Sequence, residues 1–125
     1  MEYLLDTHVV LWWLTEPKKI SAKAHKLISN RKNEVYVSSV SLWEMAIKKE
    51  IGRLTLPLNL LSVLAAETFQ ILPLKGEEAL GVIDLPNLHP DPFDRILIAQ
   101  AKFNDLVLIT RDQKMLGYPI VTLKA

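Results

Sequence analysis

The sequence predicts a three-layer α/β/α sandwich around a mostly parallel central sheet of four to five strands. Three observations lead there. Short runs rich in Val, Ile and Leu alternate with helical patterns along the chain, as they do where parallel strands lie under helices on both faces. Half of the 125 residues are hydrophobic and 23% are charged, enough for a real core and unlike a disordered tail. No repeat, low-complexity tract or linker breaks the pattern, so residues 1–125 are expected to form one domain.

The elements follow in order. Tyr3–Leu5 is a short apolar strand, with a helix expected from His8 or Val9. Ser21–Asn30 has a helical pattern opened by a serine, and Val35–Val37 is β-branched and strand-like. Ser41–Ile51 and Leu58–Thr68 read as helices, Phe69–Leu72 as a strand and Glu77–Ile83 as a further helix. In "HPDPFDRILIAQA", Asp91 and Pro92 are placed as N-cap and first residue of a helix running to Asn104. Leu106–Thr110 and Ile120–Leu123 complete the strands, separated by a short turn at Gln113–Leu116.

Composition narrows the chemistry. With no cysteine, the chain has no disulfide, thiolate zinc site or cysteine nucleophile, which fits a reducing cytoplasm. Glu2 and Asp6 stand where a signal peptide would be basic. The longest uncharged run, Leu54–Ala66, has 13 residues, short of the ~20 that span a bilayer. No membrane partner is expected. Fifteen basic residues against fourteen acidic leave a net charge of +1. The bases gather at Lys18, Lys19, Lys23, Lys26, Arg31 and Lys32, and again at Lys48, Lys49 and Arg53. A solvated helix face accounts for them more readily than a nucleic-acid surface.

The acids fall at junctions. In an open parallel sheet the functional crevice lies beyond the carboxyl ends of the strands. Asp6 follows the first strand inside the apolar stretch "MEYLLDTHVVLWWL", Glu44 lies early in the helix after the second, and Asp112 comes two residues after the fourth. Asp94 sits in the first turn of the helix preceding that strand. Each has a local alternative. Asp6 or Thr7 can cap the first helix, Ser41-x-x-Glu44 matches a capping box with Glu44–Lys48 as an i,i+4 pair, Asp94 favours a helix N-terminus or pairs with Arg95, and Asp112 can cap the short turn. Together they say more. Several carboxylates at one sheet edge raise one another's pKa, and a hard divalent cation such as Mg²⁺ or Mn²⁺ relieves that conflict. Such a site suits phosphodiester hydrolysis.

The segments "LLDTHVVLWWL", "VSSVSLWEMAIKKEIGRL", "HPDPFDRILIAQA" and "LVLITRDQKM" resemble, in order and spacing, the PIN-domain family and within it the VapC-type toxins of prokaryotic toxin–antitoxin pairs. The resemblance implies a cytoplasmic Mg²⁺- or Mn²⁺-dependent endoribonuclease held by a cognate antitoxin protein, with a homodimer expected. Its catalytic and metal-ligating acids map onto Asp6, Glu44 and Asp94, with Asp112 as the fourth. Asp91 is placed at a helix cap or outer shell. Thr7, Ser38 and Thr110 are hydroxyls beside the acids, while Arg95 and Arg111 are candidate phosphate contacts. His8, His25 and His89 need no catalytic role. Trp12, Trp13, Leu14 and "LPLNLLSVLAAETF" offer apolar surface for the antitoxin, or ordinary core. Two other readings remain at this point: a nuclease-silent RNA- or partner-binding module, and another metal-dependent phosphotransfer enzyme. The chain has four glycines and no Gly-rich phosphate loop, which counts against the last. The sequence does not name the RNA.

Overall fold

Short apolar segments cannot satisfy their own backbone groups, and in the computed structural model, which describes residues 1–125, five of them pair into one sheet. In chain order the elements are β1 (Glu2–Leu5), α1 (Thr7–Thr15), α2 (Ala22–Ser29), β2 (Glu34–Ser38), α3 (Ser39–Glu50), α4 (Leu60–Ala66), β3 (Gln70–Leu72), α5 (Gly76–Leu80), α6 (Pro92–Phe103), β4 (Val107–Thr110), α7 (Gln113–Leu116) and β5 (Thr122–Lys124). The sheet order is β3-β2-β1-β4-β5, and every pairing is parallel. Leu4 stands opposite Tyr36 on one side and Leu108 on the other. The chain therefore builds outward from β1 to β3, then returns to lay β4 on the other flank of β1. That reversal is the switch point where parallel sheets place their sites.

Strand alternation divides the core into two layers. Leu5 and Ile109 join Val9, Val10, Met45 and Leu64 under α1, α3 and α4. Their neighbours Leu4 and Leu108 point the other way, onto Leu97, Ile98, Ala101 and Met115 of α6 and α7. The sandwich expected from the alternation is observed, with all five strands parallel.

Boundaries shift where local bonds compete with the pattern. Phe69 and Ile120 fall outside β3 and β5 because their amides are spent in turns, on the carbonyls of Leu64 (3.0 Å) and Tyr118 (2.8 Å). The helix expected over Glu77–Ile83 divides into α5 and a 3₁₀ turn at Gly81–Asp84. At Gly81 a Cβ would come within 2.4 Å of the Phe103 ring, so glycine permits the close approach of α6. α3 begins at Ser39, with Ser38 as its cap accepting from the Val40 amide at 3.0 Å. The Ser41–Glu44 box is therefore absent. Ser41 instead accepts from the Thr7 hydroxyl at 2.8 Å, joining α3 to α1.

A second buried polar set pins α5 to α6. Glu78, 2% exposed, accepts from the Lys75 amide at 2.8 Å and from Gln100 Nε2 at 3.3 Å. Asn104 Nδ2 also donates to it, and Gln100 Oε1 in turn accepts from Ser38. Removing one member strands the others without water. Glu78→Ala is expected to lower the unfolding free energy by about 2–3 kcal/mol, measured by urea denaturation. No helix is long and apolar enough to cross a membrane.

Candidate active site

At the carboxyl ends of β1 and β4, four acids converge from four elements. Asp6 has the extended backbone of an N-cap, φ −61° and ψ 149°, yet its side chain makes no capping bond. Its Oδ2 accepts from Thr110 Oγ1 at 2.8 Å. Oδ1 is buried with no partner. Glu44, in the second turn of α3, is 4% exposed; Oε2 takes the Lys48 ammonium at 3.0 Å, as expected, and Oε1 has no partner. Asp91 caps α6, accepting from the Phe93 amide at 2.8 Å and the Asp94 amide at 3.4 Å. Asp94 is thereby released from capping. Asp112 does cap α7, its Oδ1 accepting from the Lys114 and Met115 amides at 2.8 and 3.2 Å. Its own amide donates to Thr110 Oγ1 at 3.0 Å, so this one hydroxyl ties Asp112 to Asp6.

His89, for which the sequence suggests no catalytic role, stands among these acids. Its ring is buried, and Nε2 lies 3.0 Å from Asp94 Oδ2 and 3.0 Å from Asp112 Oδ2. Nδ1 accepts from the Asp91 amide at 3.0 Å. An accepting Nδ1 carries no proton, which places the ring proton on Nε2, between the two acids. In that tautomer Nε2 donates rather than ligates, although the ligand atoms of His89, Asp94 and Asp112 all lie within 4.8 Å of one another. The ring is steadied from behind: Tyr118 OH accepts from the His89 and Leu88 amides at 2.9 and 3.2 Å. Pro90 and Pro92 fix φ on either side of Asp91 and hold the turn, but they carry no sign of the ring's partners.

Arg95 belongs to the same support. It donates to the carbonyls of Val82 (2.8 Å) and Pro86 (3.2 Å) and to Tyr118 OH (3.4 Å). Its guanidinium is committed to the loop before α6, which corrects its expected phosphate role. Arg111 lies beside the acids, its Nε on the Ala125 carbonyl at 3.1 Å and a terminal nitrogen on the Lys19 carbonyl. Thr7 and Ser38 are spent on Ser41 and Gln100, within the scaffold under the site.

Crowding sets the charge states. Burial, then the repulsion of Asp6, Asp91, Glu44 and Asp112, pushes the Asp94 carboxyl up to about 8. Burial likewise raises Asp6, against the Thr110 hydrogen bond. Asp112 goes the other way: burial pulls it up, but bonds from His89 and the Met115 and Lys114 amides outweigh that and hold it low. For Asp94 the native state keeps a proton that the unfolded chain, near its ordinary 3.8, has released. The folded state binds more protons across that window, so this contribution to stability is fully present below pH 3.8 and lost as pH rises through about 8. In EDTA, a plot of Tm against pH is expected to slope down between pH 5 and 8 more steeply for the native chain than for Asp94→Asn.

A PIN-domain family profile matches residues 3–119. The chain belongs to the PIN-domain family. This PIN domain is 33% identical to "Ribonuclease VapC22" of Mycobacterium tuberculosis over 115 residues, covering 90% of this chain and 88% of that protein. Its fold matches the crystal structure of VapBC2 from Rickettsia felis bound to a promoter DNA fragment, with TM-score 0.74, 14% identity and 99% and 98% of the two chains covered. It also matches DNA-bound VapBC from Salmonella typhimurium, with TM-score 0.72, 18% identity and the same coverage. Within the PIN fold the donor set here is all oxygen, and two of those oxygens, Asp6 Oδ1 and Glu44 Oε1, are buried without partners. Unpartnered buried carboxylate oxygens are costly. A hard divalent cation is the group that fits them.

Proposed function

We propose that this PIN domain, taken as one unit over residues 1–125, is an endoribonuclease dependent on Mg²⁺ or Mn²⁺ and the toxin of a toxin–antitoxin pair. The observation that carries the reading is the meeting of Asp6, Glu44 and Asp94 at the switch point, with two buried oxygens that no protein donor satisfies. Those three acids would hold the ion. Asp112, with both oxygens already engaged, is the outermost of the four and reaches the site through His89. An ion held by these acids would supply neutralisation of phosphate charge and activation of water near neutral pH.

The chain's own residues do the rest. Thr110 fixes Asp6 Oδ2 so that Oδ1 faces the site alone, and Lys48 does the same for Glu44 through Oε2. Burial and its acidic neighbours make Asp94 hold a proton up to about pH 8, and a cation must displace that proton to bind. Metal affinity is therefore expected to rise with pH up to about 8. Cleavage of a single-stranded RNA pool should vanish in EDTA and return with Mn²⁺ or Mg²⁺. Full turnover in EDTA would end the reading, and RNA binding without turnover in Mn²⁺ would return the nuclease-silent module.

The partner proposal rests on relatives that are VapBC complexes and on exposed leucines of this chain. Leu58 is 97% and Leu61 62% exposed, more apolar surface than an isolated α4 region needs. Trp13 is less available: its ring packs against His25 and Phe69 at 4.7 and 5.9 Å, and its N–H is spent on Glu67. A cytoplasmic antitoxin covering α4 and a homodimer of the toxin are the expected assemblies, checked by co-purification with the product of the neighbouring gene and by sedimentation.

A further inference from the structure

Beside the acids the surface opens into a cavity of about 310 Å³ lined by Asp6, His8, Trp12, Arg111 and Asp112. Its two walls differ in chemistry. One is anionic, formed by Asp6 and Asp112 at the site already described. The other is flat and cationic. His8 and Trp12 share a face of α1 at i,i+4 spacing, with ring centroids 6.2 Å apart. The Arg111 guanidinium carbon lies 4.6 Å from the Trp12 centroid, and Lys19 Nζ 5.9 Å from it. Arg111 is anchored by main-chain carbonyls of Lys19 and Ala125, so it stays over the indole and forms no ion pair with the neighbouring acids. The cavity has the volume of the smallest ligand sites, suited to one ring system.

We propose that this cavity is a nucleobase subsite: an unpaired base of the RNA, adjacent to the phosphate being cut, stacks against the Trp12–Arg111 pair while its phosphate faces the acids. The inference rests on the endoribonuclease reading and adds the form of substrate to it. Proteins hold single-stranded RNA by stacking splayed bases on aromatic rings and guanidinium planes. A protein side chain is the competing occupant. Such a side chain would be cationic, drawn by Asp6 and Asp112, and the peptide arm of the test below separates it from a base. A base is favoured by the Arg111 plane already lying over Trp12, the kind of surface on which bases stack. The subsite also sets an order along the strand, since the base and the scissile phosphate must both be within reach of Asp6.

The test compares a nuclease-resistant single-stranded RNA analogue of mixed sequence with the same backbone carrying no bases. Both are bound to the full chain in Mn²⁺ and followed by fluorescence anisotropy. The native protein is expected to prefer the base-bearing strand by about 5- to 100-fold. Trp12→Leu should erase most of that preference and leave the salt dependence unchanged, because no phosphate contact is lost. Trp12→Phe should keep much of it, and serves if Trp12→Leu folds poorly, since Trp12 also packs against the core. Equal binding of the two strands by the native chain overturns the proposal. So does a Trp12→Leu variant that weakens an arginine-bearing peptide and leaves RNA binding unchanged. Turnover of natural RNA in Mn²⁺ is measured alongside. Base preference without turnover sinks the nuclease and keeps the subsite, and turnover without base preference does the reverse.

Discussion

Asp94→Asn is expected to lower the rate of RNA cleavage roughly 1,000-fold, the consequence of losing several kcal/mol of metal-derived stabilisation in the transition state. The fold should survive. Asparagine keeps the shape of the acid and can still meet His89, and near neutral pH the native carboxyl, with its pKa near 8, already carries a proton in the metal-free protein. What the amide cannot do is become anionic when a cation arrives. The diagnostic is therefore the response to metal. In the native chain, Mn²⁺ at 100 times its Kd should stabilise by about 2.7 kcal/mol, read as a rise in Tm. In Asp94→Asn that rise should be small. Cleavage at the native rate, or an undiminished Mn²⁺ shift, would remove Asp94 from the site.

The second large effect concerns His89, which touches neither unpartnered oxygen but holds two acids by their Oδ2 atoms. Groups that orient metal ligands typically cost 10- to 100-fold in affinity when removed. His89→Ala should weaken Mn²⁺ binding by about that factor, measured by calorimetry. Without Nε2 between them, Asp94 and Asp112 lose the group that holds both Oδ2 atoms at 3.0 Å. His89→Gln, whose amide nitrogen reaches a similar place, should recover part of the affinity. Cleavage at saturating Mn²⁺ should fall much less than at limiting Mn²⁺, because the defect is in assembling the site. A merely structural histidine would lower Tm and leave the Mn²⁺ affinity where it was.

That Asp6, Glu44, Asp94 and Asp112 gather at one sheet edge was legible in the chain because they lie at or near junctions of elements. Asp6 follows a strand, Asp112 follows another, and Asp91–Pro92 marks a helix start whose next acid is Asp94. Two roles were not legible. His89 had no periodic or charge signal, since its partners lie 5 and 23 residues away and its tautomer depends on a backbone amide in a proline-bounded turn. Arg95 looked like a phosphate ligand because guanidinium suits phosphate. Its actual partners are carbonyls of a loop whose path follows from how α6 packs.

The sequence by itself determined the layer architecture, since alternation of apolar runs with helical periods is a local property that burial reads directly. It also determined which acids lie at strand and helix ends. Tertiary structure alone decided which oxygens are free. Asp6 is a bare acid because Thr110, 104 residues away in the chain, takes one of its oxygens and no amide takes the other. Hydrogen bonds choose partners by distance in space, and the linear chain carries no record of that distance. Asp6 Oδ1 and Glu44 Oε1 are left without donors for the same reason, a fact of space that no local pattern foretells.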